Sequence, residues 1–509
     1  MAVHMPRDAG SIHQIQLPDD IRYSDGELTW SSQNGKADDA LGHLKDEEII
    51  AILDSTTEDQ GYSIFSLRQG SGDVEEPFQL SAFSAHKLPQ DVLDKHRLKT
   101  LPDSLRVDGK SDLHVIISTR SGTGLAEPFY NSVLQPLLEV LGLKDATALT
   151  STESAETPSH QTKGYHVTVT KDSQTIREFA QARWGNDGRS VSGDAAGSSE
   201  TIVLLSGDGG VVDLLNGCDE PVYREPRPTI ALLPLGTGNA LFHSLHKPQY
   251  MATDAPVPSP FVLALRTLLK GVSAPLPTFQ ASFSPGSHII SYSPPPAAVN
   301  ADPEVGLQKE PKRVDQLYGA IVASYGFHSQ LVWESDTPEY RKHGEKRFGM
   351  VAQELLKESH VYDATVETLT GGKSQLVTFE NTKFNYILAT LVSNLEKTFT
   401  ISPKSKPLDG QLRLVHFGDV GGAKTMDIMM QAYNNGSHVG MTWTKEDGME
   451  DKVGYDAIDE VKVTTLEDND RWRKVCIDGT IVEIPRGGSM TVKTMPESKF
   501  QVLVDPSVL

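Results

Sequence analysis

Two glycine-rich turns in tandem constrain this chain more than any other stretch. The first, Ser206-Gly207-Asp208-Gly209-Gly210, follows the apolar run Ile202-Val203-Leu204-Leu205, and the second, Leu235-Gly236-Thr237-Gly238-Asn239, follows Ile230-Ala231-Leu232-Leu233-Pro234. Each reads as a buried strand, a tight turn and a helix, with helices over Val211 to Asn216 and Asn239 to Leu245. Glycine accepts positive φ and lets a ligand approach the backbone closely. N–H groups exposed at a turn and at a helix start form an anion site, so two such turns on neighbouring strands make a phosphate cradle. Asp208 lies inside the first turn. A carboxylate beside bound phosphate is costly unless it accepts a proton or holds Mg²⁺. An isolated Gly-Asp-Gly-Gly is more often an ordinary β-turn; the pair, separated by Asn216-Gly217, carries the reading.

The 509 residues suffice for about three domains, and 23% charged with 38% hydrophobic residues fits a soluble globular protein. The net charge of −21 argues against a nucleic-acid binder and against whole-surface attraction to anionic lipid. Two cysteines, Cys218 and Cys476, give no disulfide framework and point to a reducing compartment. The N-terminal stretch lacks the hydrophobic region of a signal peptide, and no run of about 20 apolar residues offers a membrane span. The expectation is a cytoplasmic enzyme that meets any membrane peripherally.

Along the chain, residues 1 to about 35 read as polar and poorly ordered. Glu48–Leu53 is apolar, Tyr62–Leu67 and Phe78–Phe83 read as strands and Leu93–Leu101 as a short helix, a pattern that suits a small β-rich module within 1–110. The segment 111–255 alternates strand and helix. Leu113–Ser118 leads into a third glycine-rich turn, Thr119-Arg120-Ser121-Gly122-Thr123-Gly124. A helix over Ala126–Leu141 follows, then a strand at His166–Thr170 and a helix over Ser173–Trp184 with Ser173 as its N-cap. This order predicts a doubly wound α/β sheet with its ligand at the carboxyl ends of the strands. Pro256–Lys270 reads as a helix whose Phe261, Leu265, Leu268 and Leu269 face a core. Residues 185–199 read as a loop and 294–312 as a surface insertion, and Val361 onward is mostly strands, interrupted by a helix at Lys424–Tyr433.

The run SGDGG, helix, Asn216-Gly217, strand, PLGTGNAL resembles the catalytic core of the diacylglycerol kinase / sphingosine kinase superfamily of lipid kinases. The resemblance spans about Leu113 to Val504. It implies a doubly wound nucleotide-binding domain at 111–255 and a C-terminal β-sandwich at 256–509 that holds the lipid. Ser324-Tyr325-Gly326-Phe327 with Tyr340-Arg341, Gly344 and Arg347-Phe348 is similar to the sphingosine and ceramide kinase segment. Two arginines there suit phosphate oxygens, which guanidinium meets bidentately. Asp409-Gly410 and Asp478-Gly479 match two further turns of the family. Ser118 and Thr119 replace a usual Asn-Pro, Leu125 a frequent basic residue, and Thr480 a glutamate.

What the resemblance implies is an ATP-dependent lipid kinase. Asp208 would be the base. ATP would be held by Arg120, Gly122, Thr170, Ser206, Gly207, Gly209, Gly210, Asp213, Gly236, Thr237, Gly238, Asn239, Arg341, Arg347 and Asp478. The N–H groups of Gly209, Gly236 and Gly238 would stabilise the transferring phosphoryl group. Mg²⁺ would be held partly by Asp208 and Asp478. The Phe327 segment points to a sphingoid long-chain base, with Phe327, Gln330 and Glu334 at the substrate. Ceramide or diacylglycerol kinase activity, and a catalytically silent lipid-binding homologue, are the alternatives. Gln330 and Val332 stand where sphingosine kinases carry aspartates, so Glu334 and Asp336 are the nearest acids for a cationic head group. NAD kinases share the first turn but lack the long C-terminal match, and no Walker A or protein-kinase set is present. Partners are a lipid and ATP, with no nucleic acid; oligomeric state is open, a homodimer included.

Overall fold

The computed structural model describes residues 12–31, 42–55, 61–70, 76–108, 111–149, 164–185, 199–218, 226–251, 256–292, 311–344, 346–373, 375–445 and 448–509. Most of the loop expected at 185–199 and of the insertion at 294–312 lies outside them.

The central layer is a six-stranded sheet in the order Val272–Pro275, Gln501–Val504, Thr229–Pro234, Ser199–Ser206, Ser111–Ile117, His166–Val169. All pairings are parallel except the edge pair of Val272–Pro275 with Gln501–Val504. These strands are near-continuous apolar runs because both faces are covered. Alternate residues serve different cores. Val115, Ile117, Val203, Leu205, Ala231 and Leu233 join one cluster, while Ile116, Ile202, Leu204 and Ile230 join the other. The chain winds outward from Ser111–Ile117 to His166–Val169 and in the opposite sense from Ser199–Ser206 to Thr229–Pro234. The crevice at this reversal is where a doubly wound sheet binds its ligand.

The strand near the C-terminus was expected among the C-terminal strands, yet it completes this parallel sheet. Its alternation identifies a strand but not its neighbours. The central layer also extends past residue 255, because the Pro260–Lys270 helix packs on the Thr229–Pro234 strand. The helix expected at Ser173 starts at Thr175 with Gln174, not Ser173, in the N-cap place, and Asp172 Oδ1 accepts from the N–H of Gln174 and Thr175 at 2.9 and 3.0 Å just ahead of it.

The N-terminal β-rich module begins earlier than its polar sequence suggests. His13–Gln16, Arg22–Ser24 and Glu27–Trp30 are strands, so the stretch read as poorly ordered is structured from residue 12. A four-stranded sheet (His13–Gln16, Phe78–Ala85, Tyr62–Gln69, Ile49–Asp54) and a three-stranded one (Arg22–Ser24, Glu27–Trp30, Gly42–Lys45) enclose Leu17, Leu28, Leu44, Ile52 and Ile64. The outer face of the larger sheet packs on the central layer through Phe65, Phe78 and Leu80. There Phe78, Phe129 and Phe261 meet with ring centroids 5.0–5.2 Å apart. Arg266 fastens the joint by donating from Nε to the carbonyl of Ile49 at 2.8 Å.

The C-terminal domain is a fourteen-stranded antiparallel sheet that curls on itself. Its halves meet where Tyr362–Leu369 pairs with both Lys383–Thr390 and Glu460–Thr465. Phe279, Tyr325, Val366, Ile387, Leu414, Val463, Val475 and Val492, from both halves, form the shared core. Three helices, Phe327–Ser335, Lys346–Glu358 and Gly421–Ala432, lie against it on the side of the central layer.

Candidate active site

Three turns converge at the carboxyl ends of three adjacent strands. Gly207 and Gly236 touch through their backbones: a Cβ built on Gly236 would lie 2.3 Å from the Cα of Gly207. Gly122, at φ +54, passes so close to the second turn that a Cβ would sit 2.6 Å from the carbonyl oxygen of Leu235. The Gly207 N–H donates to Ser121 Oγ at 2.7 Å, locking the first and third turns together. Thr170 braces the same region from the side, its Oγ1 accepting from the Thr119 N–H at 3.0 Å.

Several residues expected to touch phosphate are instead fasteners of the cradle. Asn239, at φ +50, accepts from the Gly236 N–H at 2.9 Å and donates to the Gly236 carbonyl at 3.0 Å. The Gly236 N–H is therefore taken up by the turn itself, correcting its expected role. Ser206 and Thr170 are buried behind the turns, and a Cβ on Gly210 would collide with Ser206 Oγ at 2.7 Å. Gly209 and Gly238 remain, their N–H groups not used in fixing the turns; a Cβ on Gly209 would meet nothing within 4 Å.

Asp208 begins the Asp208–Asn216 helix and caps the next one. Its Oδ2 accepts from the Ala240 N–H at 2.7 Å and its Oδ1 from the Leu241 N–H at 3.1 Å. Burial raises its pKa against those two hydrogen bonds. Asp478 approaches from the C-terminal domain. With φ +46, followed by Gly479 at φ +90, it makes the two-residue turn between Lys474–Ile477 and Thr480–Glu483. Its carboxylate accepts from the N–H groups of Ala320, Ile321 and Val322 at 2.6, 3.1 and 2.5 Å. Burial pushes it up to about 7; the hydrogen bonds oppose that and the charge of Asp208 adds to it. Both carboxylates face one cavity of about 970 Å³ between the domains.

Four arginines line the same cavity: Arg120, Arg177, Arg341 and Arg347. Arg341 makes a bidentate pair with Asp336 at 2.8 and 2.7 Å. Arg347 lies over the Phe348 ring, and its buried Nε has no partner among the described residues. Arg177 was not singled out by sequence. It faces Asp213, whose carboxyl burial pushes up to about 7 against the pull of that guanidinium. Leu331, Phe348, Leu356, Phe399, Met426 and Met429 give the same cavity an apolar lining.

The substrate residues read from sequence divide. Phe327 lines the cavity; Gln330 and Glu334 do not. On the Phe327–Ser335 helix, positions 328, 331 and 332 share the cavity side, whereas 330 and 334, four apart, share the opposite one. Gln330 Nε2 donates to Glu334 Oε1 at 2.7 Å, and Glu334 pairs with Arg471 at 3.3 Å. Glu334 is thus turned away and Asp336 is already paired, so neither stands ready for a cationic head group. His328 and Tyr386 face the cavity and were missed. The one sequence signal for His328 was its place directly after Gly326-Phe327.

Residues 112–279 match the family described as the diacylglycerol kinase catalytic domain. No curated protein matches the chain in sequence. Among solved structures, a diacylglycerol kinase from Bacillus anthracis str. Sterne is similar at 11% identity and TM-score 0.41. Another from that organism, described as "a putative diacylglycerol kinase", is similar at 14% and 0.45. Each comparison covers 78% of this chain and 98% of the other.

Proposed function

We propose, taking residues 112–279 as a diacylglycerol kinase catalytic domain, that this chain is an ATP-dependent lipid kinase acting on the primary hydroxyl of a long-chain lipid. The observation that carries the reading is the position of Asp208, a buried carboxylate where the glycine cradle opens into an apolar cavity. A nucleotide's phosphates fit against Gly209 and Gly238 and the surrounding arginines, and an aliphatic tail fits among Leu331, Leu356, Phe399 and Met429.

The hydroxyl then lies beside Asp208. Two backbone N–H groups orient that carboxylate and leave lone pairs to accept a proton. As the hydroxyl oxygen bonds to the γ-phosphorus, its proton passes to Asp208, the bond to the β–γ bridging oxygen breaks and ADP departs. The Gly209 and Gly238 N–H groups, with Arg347, meet the charge on the transferring group. Asp208 and Asp478 are suitable donors for Mg²⁺, which commonly takes one or two carboxylates and fills its remaining positions from phosphate and water. Among the described residues no cluster of three His, Cys, Asp or Glu side chains offers a protein-only metal site. When bound, the ion would neutralise phosphate charge.

The sphingoid base suggested by the Phe327 segment is one acceptor. A second reading, an uncharged acceptor such as ceramide or diacylglycerol, is favoured by the pairing of Glu334 with Arg471 and of Asp336 with Arg341. The test is phosphate transfer from labelled ATP, with Mg²⁺, to a panel of sphingosine, ceramide and diacylglycerol. Product on none of them, with the protein folded, would leave the silent lipid-binding homologue.

A further inference from the structure

Asn216 and Gly217 stand between the two glycine turns in sequence, and nothing in the phosphoryl-transfer scheme uses them. Asn216 ends the Asp208–Asn216 helix, about 12 Å along its axis from Asp208 at the other end. Its side chain leaves the catalytic layer and meets the backbone of Tyr318 with both ends of the amide. Oδ1 accepts from the Tyr318 N–H at 2.9 Å, and Nδ2 donates to the carbonyls of Tyr318 and Val212, each at 2.8 Å. Tyr318 belongs to the Gln316–Gly319 strand, which closes its sheet with Phe279–Phe283 as its one partner among the described strands. Asn216 acts there as a one-residue neighbouring strand, meeting an N–H and a carbonyl on the open side of that edge.

The strand held in this way runs directly into the corner that holds Asp478. Ala320, Ile321 and Val322, whose N–H groups grip that carboxylate, follow Tyr318 by two to four residues. Gly319 lets Asp478 come close: a Cβ there would lie 2.9 Å from Asp478 Oδ2 and 2.3 Å from the Phe279 ring. Lys499 is a second fastener. It is 2% exposed, its Nζ donates to the carbonyls of Cys218 and Leu215 at 2.9 and 3.3 Å, and it lies 3.4 Å from the centroid of the Tyr318 ring. One continuous path therefore joins the two carboxylates: Asp208, its helix, Asn216, Tyr318, the 320–322 corner and Asp478.

We propose that Asn216 is a positioning residue, which sets the place of Asp478, and with it the C-terminal side of the cavity, relative to Asp208. This rests on the lipid-kinase reading and deepens it. The glycine cradle lies in the catalytic layer, whereas Leu331, Phe348, Leu356, Phe399, Met426 and Met429 all belong to the C-terminal domain. Each ligand therefore keeps its main contacts when the link is cut. Transfer needs both sides in register, and a misplacement of about 1 Å costs on the order of 10²-fold in such a step. The loss falls on kcat and spares binding.

The test compares Asn216→Leu and Asn216→Asp with the wild-type full chain, using ATP, Mg²⁺ and short-chain diacylglycerol, ceramide and sphingosine. Asn216→Leu should lower kcat by ~10–100-fold, while KM for ATP and lipid, and ATP affinity by calorimetry, stay within about 3-fold. Asn216→Asp sets a carboxylate against the carbonyls of Tyr318 and Val212; once protonated, it accepts from the Tyr318 N–H and donates to a carbonyl again. Its kcat relative to wild type should climb as pH falls from about 8 to about 5.5, since the facing carbonyls favour the protonated form. Lys499, Asp208 and Asp478 are common to both proteins, so the ratio isolates the introduced carboxyl. Hydrogen exchange reads the link without turnover. At about pH 8 the amides of Ala320, Ile321 and Val322 should exchange at least ~10-fold faster in Asn216→Asp, with those of Ala240 and Leu241 still protected. An unchanged kcat in folded Asn216→Leu, a ratio flat in pH, or loss of ATP affinity and of protection across the whole chain would overturn the proposal. No phosphate transfer by the wild type to any of the three lipids would refute the kinase reading, and faster exchange confined to 320–322 would still uphold the link.

Discussion

The backbones of Gly207 and Gly236 are in contact, so the two phosphate turns form one rigid unit. A methyl group on Gly236 would drive into Gly207 N and Cα, and backbone cannot yield as a side-chain tip can. Gly236→Ala should therefore abolish nucleotide binding and lower the melting temperature together. Gly209→Ala, with no protein atom within 4 Å of the added methyl, should keep the melting temperature and weaken ATP binding, since the methyl enters the space the phosphate takes. Gly209→Asp should keep the melting temperature but lose ATP affinity, since it sets a negative charge where phosphate must sit. Calorimetry with ATP and a melting curve read all three; intact ATP affinity in the Gly236 variant would refute the rigid cradle.

Asp208→Asn should lower turnover by ~10²–10⁴-fold, the usual worth of a general base. It should also destabilise the fold, because an amide cannot accept from both Ala240 and Leu241 without presenting its NH₂ to a donor. Leaving one such N–H unpaired costs about 1–3 kcal/mol. Phosphate-transfer rates and chemical unfolding report the two effects. Near-normal turnover would rule Asp208 out as the base.

The two expected phosphate arginines should not be equivalent. Arg341 already has its fork engaged by Asp336, while Arg347 carries an unpartnered Nε. Arg347→Ala should therefore raise KM for ATP or lower kcat more than Arg341→Ala, with lysine at 347 recovering only part, because planar pairing is lost. Equal effects, or full rescue by lysine, would return Arg347 to packing on Phe348.

Asp478 gives a pH signature. Its carboxyl sits at about 7 in the folded protein against an ordinary 3.8, so the folded state holds a proton that the unfolded chain has released. That contribution to stability is complete below about pH 4 and is lost as pH rises through about 7. Asp478→Asn removes the titration and keeps a side chain that tolerates the positive φ of the turn. Relative to wild type, the variant's unfolding free energy should improve between those limits and then level. A difference that stays flat from pH 4 to 7 would contradict the burial argument.

The N-terminal module should be part of the folded unit. Phe129 is wholly buried between Phe78 and Phe261, so Phe129→Ala should cost about 3–5 kcal/mol. Thermal unfolding measures it. A separate low-temperature transition for the module would show that the aromatic joint does not couple the two.

What could be read in advance was what local sequence decides. The glycine turns, their strands and the place of Asp208 inside the first turn follow from spacing, because a strand, a tight turn and a helix N-terminus are consecutive along the chain. Asp478-Gly479 was legible as a turn; that its carboxylate reaches Ala320, Ile321 and Val322 was not, since those partners are remote in sequence. The phase of the Phe327–Ser335 helix was hidden too. His328 and Gln330, two residues apart, lie about 200° from each other around the helix, and only packing against the curled sheet decides which of them meets the cavity. Asn239 and Gly236 looked like ligand contacts because the residues that hold a turn and those that touch its guest lie in the same few positions.

The Gln501–Val504 strand, lying between Thr229–Pro234 and Val272–Pro275, makes the catalytic layer discontinuous along the chain. The curled β domain is spliced into it as a long excursion that leaves after Pro275 and returns before Gln501. A domain hung from one linker can twist freely; one hung from two adjacent strands is carried as on a door with two hinge pins. Any opening of the cavity would then be a swing about the line joining those crossings. Asp478, Arg341 and Arg347 all lie within that excursion and Asp208 outside it, so any such swing would carry the three away from Asp208 together.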